Sequence, residues 1–394
     1  MKKKVLFVIG TLQSGGVSKS MVSLLNAWDK EKYDTSLLLC CKDGDVFSKY
    51  LPKGVRFIYD PVIEHVMGGF SSAKWLMRHG HMVLCFGVLL RLVLSRLSRP
   101  LAGELIARMM PVVCDEYYDL IVDYGGQQLL YYMVNKLKAT KKVTFFHNDY
   151  SKWPYYYKAD CRFYPKVDHI FSVSQVCVEV LKRYFPDCAG KISLMENISS
   201  PKVIWQQAED IPDELRSEIE KWKSDGNTIF CTVAHFCRRK GSDLTIEAAE
   251  LMKQKGMKFK WIFVGKVLEY DLVELVRIKG LENEMIFAGI QGNPYPYMLL
   301  ADIYVQPSRF EGKSISLDEA KILCKPIVVT DFSTVGDQFN NRVNASICKM
   351  SGDAVAQAIM ELINNSDLRH AYEEDLRAHV VDNSEEVSKL FHFL

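Results

Sequence analysis

Two carboxylates eight residues apart, Glu311 and Glu319, stand in Ser308-Arg309-Phe310-Glu311-Gly312-Lys313-Ser314-Ile315-Ser316-Leu317-Asp318-Glu319-Ala320, between an apolar strand at 302–306 and another that opens at Pro326. A loop and then a helix after a parallel strand aim free backbone N–H groups at an anion. The segment therefore puts one carboxylate in an anion-binding loop and the other about two turns into the following helix. Spacing alone favours an exposed helix with two solvated glutamates. The residues around the pair change that reading.

Two further groups are candidates for the same anion. Val233-Ala234-His235-Phe236-Cys237-Arg238-Arg239-Lys240-Gly241 follows an apolar strand and sets three consecutive cations before a glycine, either as a solvated turn or as a phosphate contact. Gly10-Thr11-Leu12-Gln13-Ser14-Gly15 has the GxxxxG spacing of a P-loop, but Gly16 and Val17 stand where Lys and Ser or Thr are required. The GxGxxG fingerprint of a dehydrogenase is missing. What is left is a strand, Gly15-Gly16 and a helix beginning near Val17. This is either a tight turn or a loop in which backbone approaches a phosphate or sugar with no Cβ in the way. His147, in Phe145-Phe146-His147-Asn148-Asp149 at a strand end, is by position alone a structural histidine.

The elements that must position these residues alternate short β-branched or aromatic runs with helical stretches, the pattern of parallel α/β units. Runs at 5–9, 35–40, 120–123, 143–146, 169–173 and 191–195 are expected to form one sheet. Runs at 229–234, 260–264, 285–288, 302–306 and 327–330 are expected to form a second. A polar stretch from 197 to 227, with Glu209, Asp210, Asp213 and Glu214, separates them. A length of 394 residues exceeds what one core usually organises. The expectation is two doubly wound α/β domains facing a central cleft, 1–197 and 198–375, with a C-terminal helix in 376–394 crossing back to the first domain.

Bulk properties narrow the function. A formal charge of +2 gives no case for nucleic acid as a partner. Eleven cysteines without a CxxC pair or a secretory signal point to reduced thiols in a cytoplasmic protein, with Cys40-Cys41 as strand packing. No apolar run reaches the roughly 18 residues a spanning helix requires. His79-Gly80-His81 is the nearest approach to a metal site and lacks further ligands close by, so no metal and no cofactor are expected.

Pro307-Ser308-Arg309-Phe310-Glu311-Gly312, Glu319-Ala320 and Lys325-Pro326-Ile327-Val328-Val329-Thr330 resemble the signature of retaining glycosyltransferases of family 4. Asn293-Pro294-Tyr295-Pro296-Tyr297 and Asp331-Phe332-Ser333-Thr334-Val335 resemble the variant found in bacterial enzymes that build capsule or lipopolysaccharide chains. The resemblance implies the GT-B fold, two Rossmann-like domains, and transfer of a hexose-type sugar with retention. The donor would be a nucleoside diphosphate sugar, UDP being the expected nucleotide, and the acceptor a saccharide or lipid-linked saccharide. A divalent ion is not implied.

Carried onto this sequence, the resemblance names Glu311, Lys240 and His147 as the catalytic group, at the sugar, the donor diphosphate, and the donor sugar or acceptor. Glu319 would hold the ribose, Gly15 and Gly16 would close over the donor, and backbone amides near Ser314 and Ile315 would face the diphosphate. Ile290 follows a strand where relatives hold the nucleobase through backbone groups. His235 occupies a position where the family usually has Arg, which makes the charge there pH-dependent; Arg238 or Arg239 would compensate. Rival readings are a GT-B binding or regulatory subunit without transfer activity, and a nucleotide-sugar epimerase or sugar-phosphate synthase.

One stretch fits none of these roles. Between His65 and Gly103 there is no Asp or Glu, while Lys74, Arg78, Arg91, Arg96 and Arg99 flank the apolar centre 82–90. Cations beside exposed apolar residues suit an anionic membrane surface carrying a lipid-linked acceptor, with the protein peripheral on the inner face of the cell membrane. The alternative is a buried helix with basic ends, and an all-round apolar centre does not separate the two.

Overall fold

The computed structural model describes residues 2–13, 15–42, 44–113 and 115–394. Ser14 of the glycine loop and Cys114 therefore lie outside the described residues. The chain divides into two compact units, one of 1–13, 17–197 and 385–394, the other of 14–16 and 198–384.

In the first unit the described residues form a seven-stranded parallel sheet. Its strands are β1 (Lys3–Thr11), β2 (Tyr33–Cys41), β3 (Arg56–Tyr59), β4 (Tyr117–Asp123), β5 (Lys138–Phe146), β6 (His169–Ser172) and β7 (Ile192–Leu194), in the order β3-β2-β1-β4-β5-β6-β7. The second unit holds a six-stranded sheet of β8 (Thr228–Val233), β9 (Phe259–Val264), β10 (Met285–Gly289), β11 (Ile303–Gln306), β12 (Ile327–Thr330) and β13 (Ser346–Cys348), in the order β10-β9-β8-β11-β12-β13. Both are parallel α/β sheets wound outward in two directions from a central pair, β1 with β4 and β8 with β11. At such a reversal two adjacent strands send their following loops apart, and a crevice opens at their carboxyl ends.

The two-residue period of a strand explains why continuous apolar runs work here. Ile229, Cys231, Ile262, Val264 and Tyr304 pack into one core of the second unit. Their neighbours Phe230, Trp261, Phe263, Ile303 and Val305 pack into another on the opposite face. Helices cover both faces, so neither set meets water. β3 and β13 were not anticipated. Both are short edge strands, and β3, with Arg56 and Phe57 exposed, lacks the apolar run by which the inner strands are recognised.

The C-terminal segment differs from the single helix expected over 376–394. The helix Ser366–Ala378 belongs to the second unit, and the return comes later, in the short helical turns Ser384–Val387 and Ser388–Phe391. Aromatic packing of Phe391 on Trp28 (5.1 Å) and Phe393 on His169 (5.2 Å) fastens this tail to the first unit. The Glu196 amide also donates to Glu386 Oε2 at 2.7 Å.

The acid-free stretch folds as three helices, Phe70–Arg78, Met82–Leu97 and Arg99–Met109. Ala73, Leu76, Cys85, Val88 and Ile106 from these helices enter the core of the first unit, so one face of each is structural. Arg91 is not one of the surface cations: its guanidinium donates to the Gly68 carbonyl, and burial lowers its pKa.

Candidate active site

The crevice between β8 and β11 receives two loops, 234–241 and 307–314. Gly241 sets their separation. Its φ of +74° is left-handed, and a Cβ there would lie 1.8 Å from the Pro307 carbonyl oxygen, a backbone atom that no rotamer change can move. Only glycine lets the loops come this close. The Arg309 amide then donates to the Arg239 carbonyl (3.1 Å), and the Arg309 guanidinium grips Asp243 through two 2.7 Å bonds.

That approach brings Lys240 onto Glu311. The Lys240 ammonium donates to both carboxylate oxygens, at 2.6 and 2.8 Å. Ser308 Oγ (2.7 Å) and Gln306 Nε2 (3.1 Å) donate to Oε1 as well. Burial alone would raise the pKa of Glu311. The Lys240 charge and the hydrogen bonds outweigh it, so the carboxyl is held below its ordinary value and stays ionised. Glu319 sits about one turn into the helix Ile315–Ile322, not two, because the helix begins only at Ile315. It is buried and accepts from the Tyr295 hydroxyl at 2.9 Å.

The remaining second-unit candidates separate. Arg238 is exposed and turned to Asp271 and Glu269, which raise its pKa; it is the partner of the start of the helix Tyr270–Ile278 and not of Lys240. Arg239 lies over the Phe310 ring at 5.7 Å and stays close to the pair. His235 has its pKa lowered by burial and then by Lys240, Arg239 and Lys266, so it is neutral at pH 7, and its Nδ1 has no hydrogen-bond partner among the described residues. The Ser314 amide, expected to face an anion, is occupied by Gln338 Oε1 at 3.0 Å. Ile315 opens the helix, where first-turn amides have no partner within it. Ile290 is exposed just past β10.

Gly16 opens the helix Gly16–Ala27, and Gly15 has a φ of +152° with open space where a Cβ would stand. His147, past the end of β5, donates from Nε2 to the Tyr124 carbonyl (3.0 Å) and meets the Asn197 side chain. Ser20 Oγ ties Asn197 Oδ1 (2.9 Å) to the Tyr124 hydroxyl (2.5 Å). Burial drives the His147 pKa down to about 4 against those hydrogen bonds, so the ring is neutral and already anchored in its own unit. Among the described residues no group of three or more His, Cys, Asp or Glu gathers that could hold a metal ion.

Sequence reading missed the residues that hold the loops in shape. Thr330 Oγ1 donates to the Ser308 carbonyl (2.6 Å) and Thr334 Oγ1 to the Glu311 carbonyl (3.1 Å). Gln338 Nε2 donates to the Ser314 carbonyl (2.9 Å) and to Asp318 Oδ1 (2.8 Å), closing a clamp on the helix start. Gln306 also joins Ser314 Oγ at 2.6 Å. The available signal was a polar residue ending an apolar strand, as Gln306 and Thr330 do. Gln338 carried none.

Residues 215–379 match the family model described as glycosyl transferases group 1. A Campylobacter jejuni relative, N-acetylgalactosamine-N,N'-diacetylbacillosaminyl-diphospho-undecaprenol 4-alpha-N-acetylgalactosaminyltransferase, is 23% identical over 94% of this chain and 93% of its own. An uncharacterized glycosyltransferase of Methanocaldococcus jannaschii is 23% identical over 44% of this chain, and the match spans 42% of that protein. The poly(ribitol-phosphate) alpha-N-acetylglucosaminyltransferase of Staphylococcus aureus is 26% identical over 38% of this chain, and the match spans 32% of that protein.

Among solved structures, Anabaena HepE in complex with UDP and glucose superposes with a TM-score of 0.70 at 15% identity, over 99% of this chain and 98% of that one. A mutant of S. aureus TarM in complex with Fondaparinux, alpha-GlcNAc-glycerol and UDP gives 0.69 at 13% identity, over 100% and 99%. The fold is GT-B, two Rossmann-like α/β domains, and the match to the group 1 model falls within the second.

Two predictions follow from the packing. Gly241→Ala must push the two loops apart, at a cost on the order of 1–3 kcal/mol for a strained backbone. The thermal midpoint should fall by several degrees, and an unchanged midpoint would refute the close approach. For His147, the native ring titrates near 4 and an unfolded one near 6.5, so between those values the unfolded chain binds the extra proton. Its contribution to stability is present above pH 6.5 and is lost as pH falls toward 4. The buried carboxyls Asp123 and Asp160, pushed up to about 6 by burial, act in the opposite sense between pH 4 and 6. Urea unfolding of wild type and His147→Gln should therefore be compared as a difference, with the variant less acid-labile; parallel curves would remove His147 from the account.

Proposed function

We propose that this protein is a retaining glycosyltransferase that moves a sugar from a UDP-sugar to a saccharide or lipid-linked saccharide acceptor in the building of a surface polysaccharide. The observation that carries the reading is the buried Lys240–Glu311 pair at the reversal of the second sheet. In the proposed reaction the bond between the anomeric carbon and the diphosphate oxygen breaks and its electron pair leaves with the diphosphate. The acceptor oxygen bonds the same carbon on the same face, and its proton passes to the departing phosphate oxygen.

Lys240, with Arg239 beside it, stabilises the charge that develops on the diphosphate, where a preorganised cation in a dry site is worth most. Glu311, kept ionised by Lys240, faces the positive charge that develops on the sugar ring. Glu319 takes the ribose hydroxyls. These groups supply the charge stabilisation, so the scheme calls on no divalent ion. His235, neutral in the free protein and open at Nδ1, gains a proton when the diphosphate arrives. The names of the C. jejuni and S. aureus relatives specify α-linked N-acetylhexosamine products, and HepE and TarM bind UDP. Those facts support the choice of donor and of retention.

The test is release of UDP from a panel of UDP-sugars with and without saccharide acceptors, followed by NMR of the new anomeric centre. Release that requires an acceptor, with configuration kept, is the expected result. Donor binding without any release would favour the binding-subunit reading.

Glu311→Gln should lower turnover on the order of 10²-fold or more, the scale of removing one positioned electrostatic group. Lys240→Ala should do comparable damage, while Arg238→Ala, on an arginine committed to Glu269 and Asp271, should leave turnover near wild type; equal losses would overturn the cation assignment. Calorimetric donor affinity should weaken as pH rises from 5.5 to 7.5, a dependence that His235→Arg abolishes. A flat wild-type profile would leave Arg239 as the second cation.

A further inference from the structure

The helix Met82–Leu97 carries more apolar surface than the first unit covers. Cys85 and Val88 point into the core, with Leu84, Leu89 and Leu92 packed beside them. Val83, Phe86, Leu90, Val93 and Leu97 recur at alternating steps of three and four, which puts them on one face of the helix. That face is open: the five are 84%, 66%, 53%, 57% and 79% exposed. Five bulky side chains in one uncovered row are unlike the scattered apolar residues of an ordinary surface.

The charges around the row select what covers it. From 66 to 103 there is no carboxylate, and Lys74, Arg78, Arg96 and Arg99 are exposed. The carboxylates that bracket the stretch are both engaged. Glu64 accepts from the Tyr59 hydroxyl (2.7 Å) and the Lys42 amide (2.9 Å), and Glu104 is buried against Arg162. Beside the row, the Arg99 guanidinium lies over the Tyr155 ring at 4.1 Å, and Trp153 meets Tyr155 edge-on at 5.0 Å, both rings partly exposed.

We propose that this face seats the protein on an anionic lipid surface. A second copy of the chain is disfavoured, because the same face on a partner brings the same exposed cations and no carboxylate from 66–103 to pair with them. An anionic bilayer satisfies every part. The apolar row enters the acyl boundary, Lys74, Arg78, Arg96 and Arg99 meet lipid phosphates, and Trp153 and Tyr155 sit at headgroup depth. The helix is about 24 Å long and lies in the surface plane; no helix among the described residues is long and apolar enough to cross a membrane. Arg91, folded back on Gly68, takes no part. The inference stands independently of the transfer reaction.

Flotation with vesicles of phosphatidylcholine alone, and of phosphatidylcholine mixed with phosphatidylglycerol, tests it. Wild type should float with the anionic vesicles at low salt, less at high salt, and not with the neutral ones. Phe86→Ser/Leu90→Ser/Val93→Ser should stay in the dense fraction. Arg96→Glu/Arg99→Glu should bind less, on the order of tenfold or more. All the changed residues are exposed, and matching thermal midpoints would show that the variants fold. Wild type that does not float with anionic vesicles, or charge reversal without effect, overturns the proposal. So does a dimer in sedimentation velocity that the serine variant abolishes, since the row would then belong to a second copy.

Discussion

The close approach of Gly241 to the Pro307 carbonyl governs the second unit's site. Two loops leave neighbouring parallel strands in opposite directions, and nothing in the sheet alone requires them to touch. A missing Cβ allows the contact, Arg309 and Asp243 lock it, and Lys240 and Glu311 are brought within hydrogen-bond distance as a result. The hydrogen bonds of the two loops are arranged around that pair. Gln306 and Ser308 share the carboxylate, and Thr330, Thr334 and Gln338 fix the backbone that carries it.

Burying a carboxylate and an ammonium together is seldom a gain in stability over an apolar pair of the same size, because both lose water. The network around Glu311 makes sense as a way of keeping an ionised acid in a dry place. Lys240 holds the charge there, and two further polar groups, Gln306 and Ser308, keep the carboxylate oriented without neutralising it. His235 is the counterpart: burial first, and then Lys240 and Arg239, the cations that favour the ionised Glu311, lower the pKa of the imidazole.

The first unit spends its polar groups differently. His147 is locked by Tyr124 and Asn197 and loses its charge to burial, so whatever it contributes it contributes as a neutral, oriented ring. The helix Met82–Leu97 leaves the row Val83, Phe86, Leu90, Val93 and Leu97 in water. The free energy lost there is regained only if something covers it, and the absence of acid over 66–103 narrows what that can be.

The sequence by itself determined the two doubly wound sheets, the boundary near 197, and the two loops that carry Lys240 and Glu311. Those features rest on local periodicity and on residue types at strand ends, which are written in consecutive positions. It also marked the stretch 65–103 as peculiar, but an apolar centre with basic ends reads the same whether one face or both are buried. Tertiary structure decided the rest. It turned Arg238 away to Glu269 and Asp271, gave the Ser314 amide to Gln338, started the helix at Ile315 so that Glu319 lies one turn in, and folded Arg91 back on Gly68. It added the edge strands β3 and β13 and moved the return of the chain from 376 to 385. Each of these depends on partners tens of residues away or on which side of an element meets water. Charge, spacing and hydropathy along the chain carry no term for that.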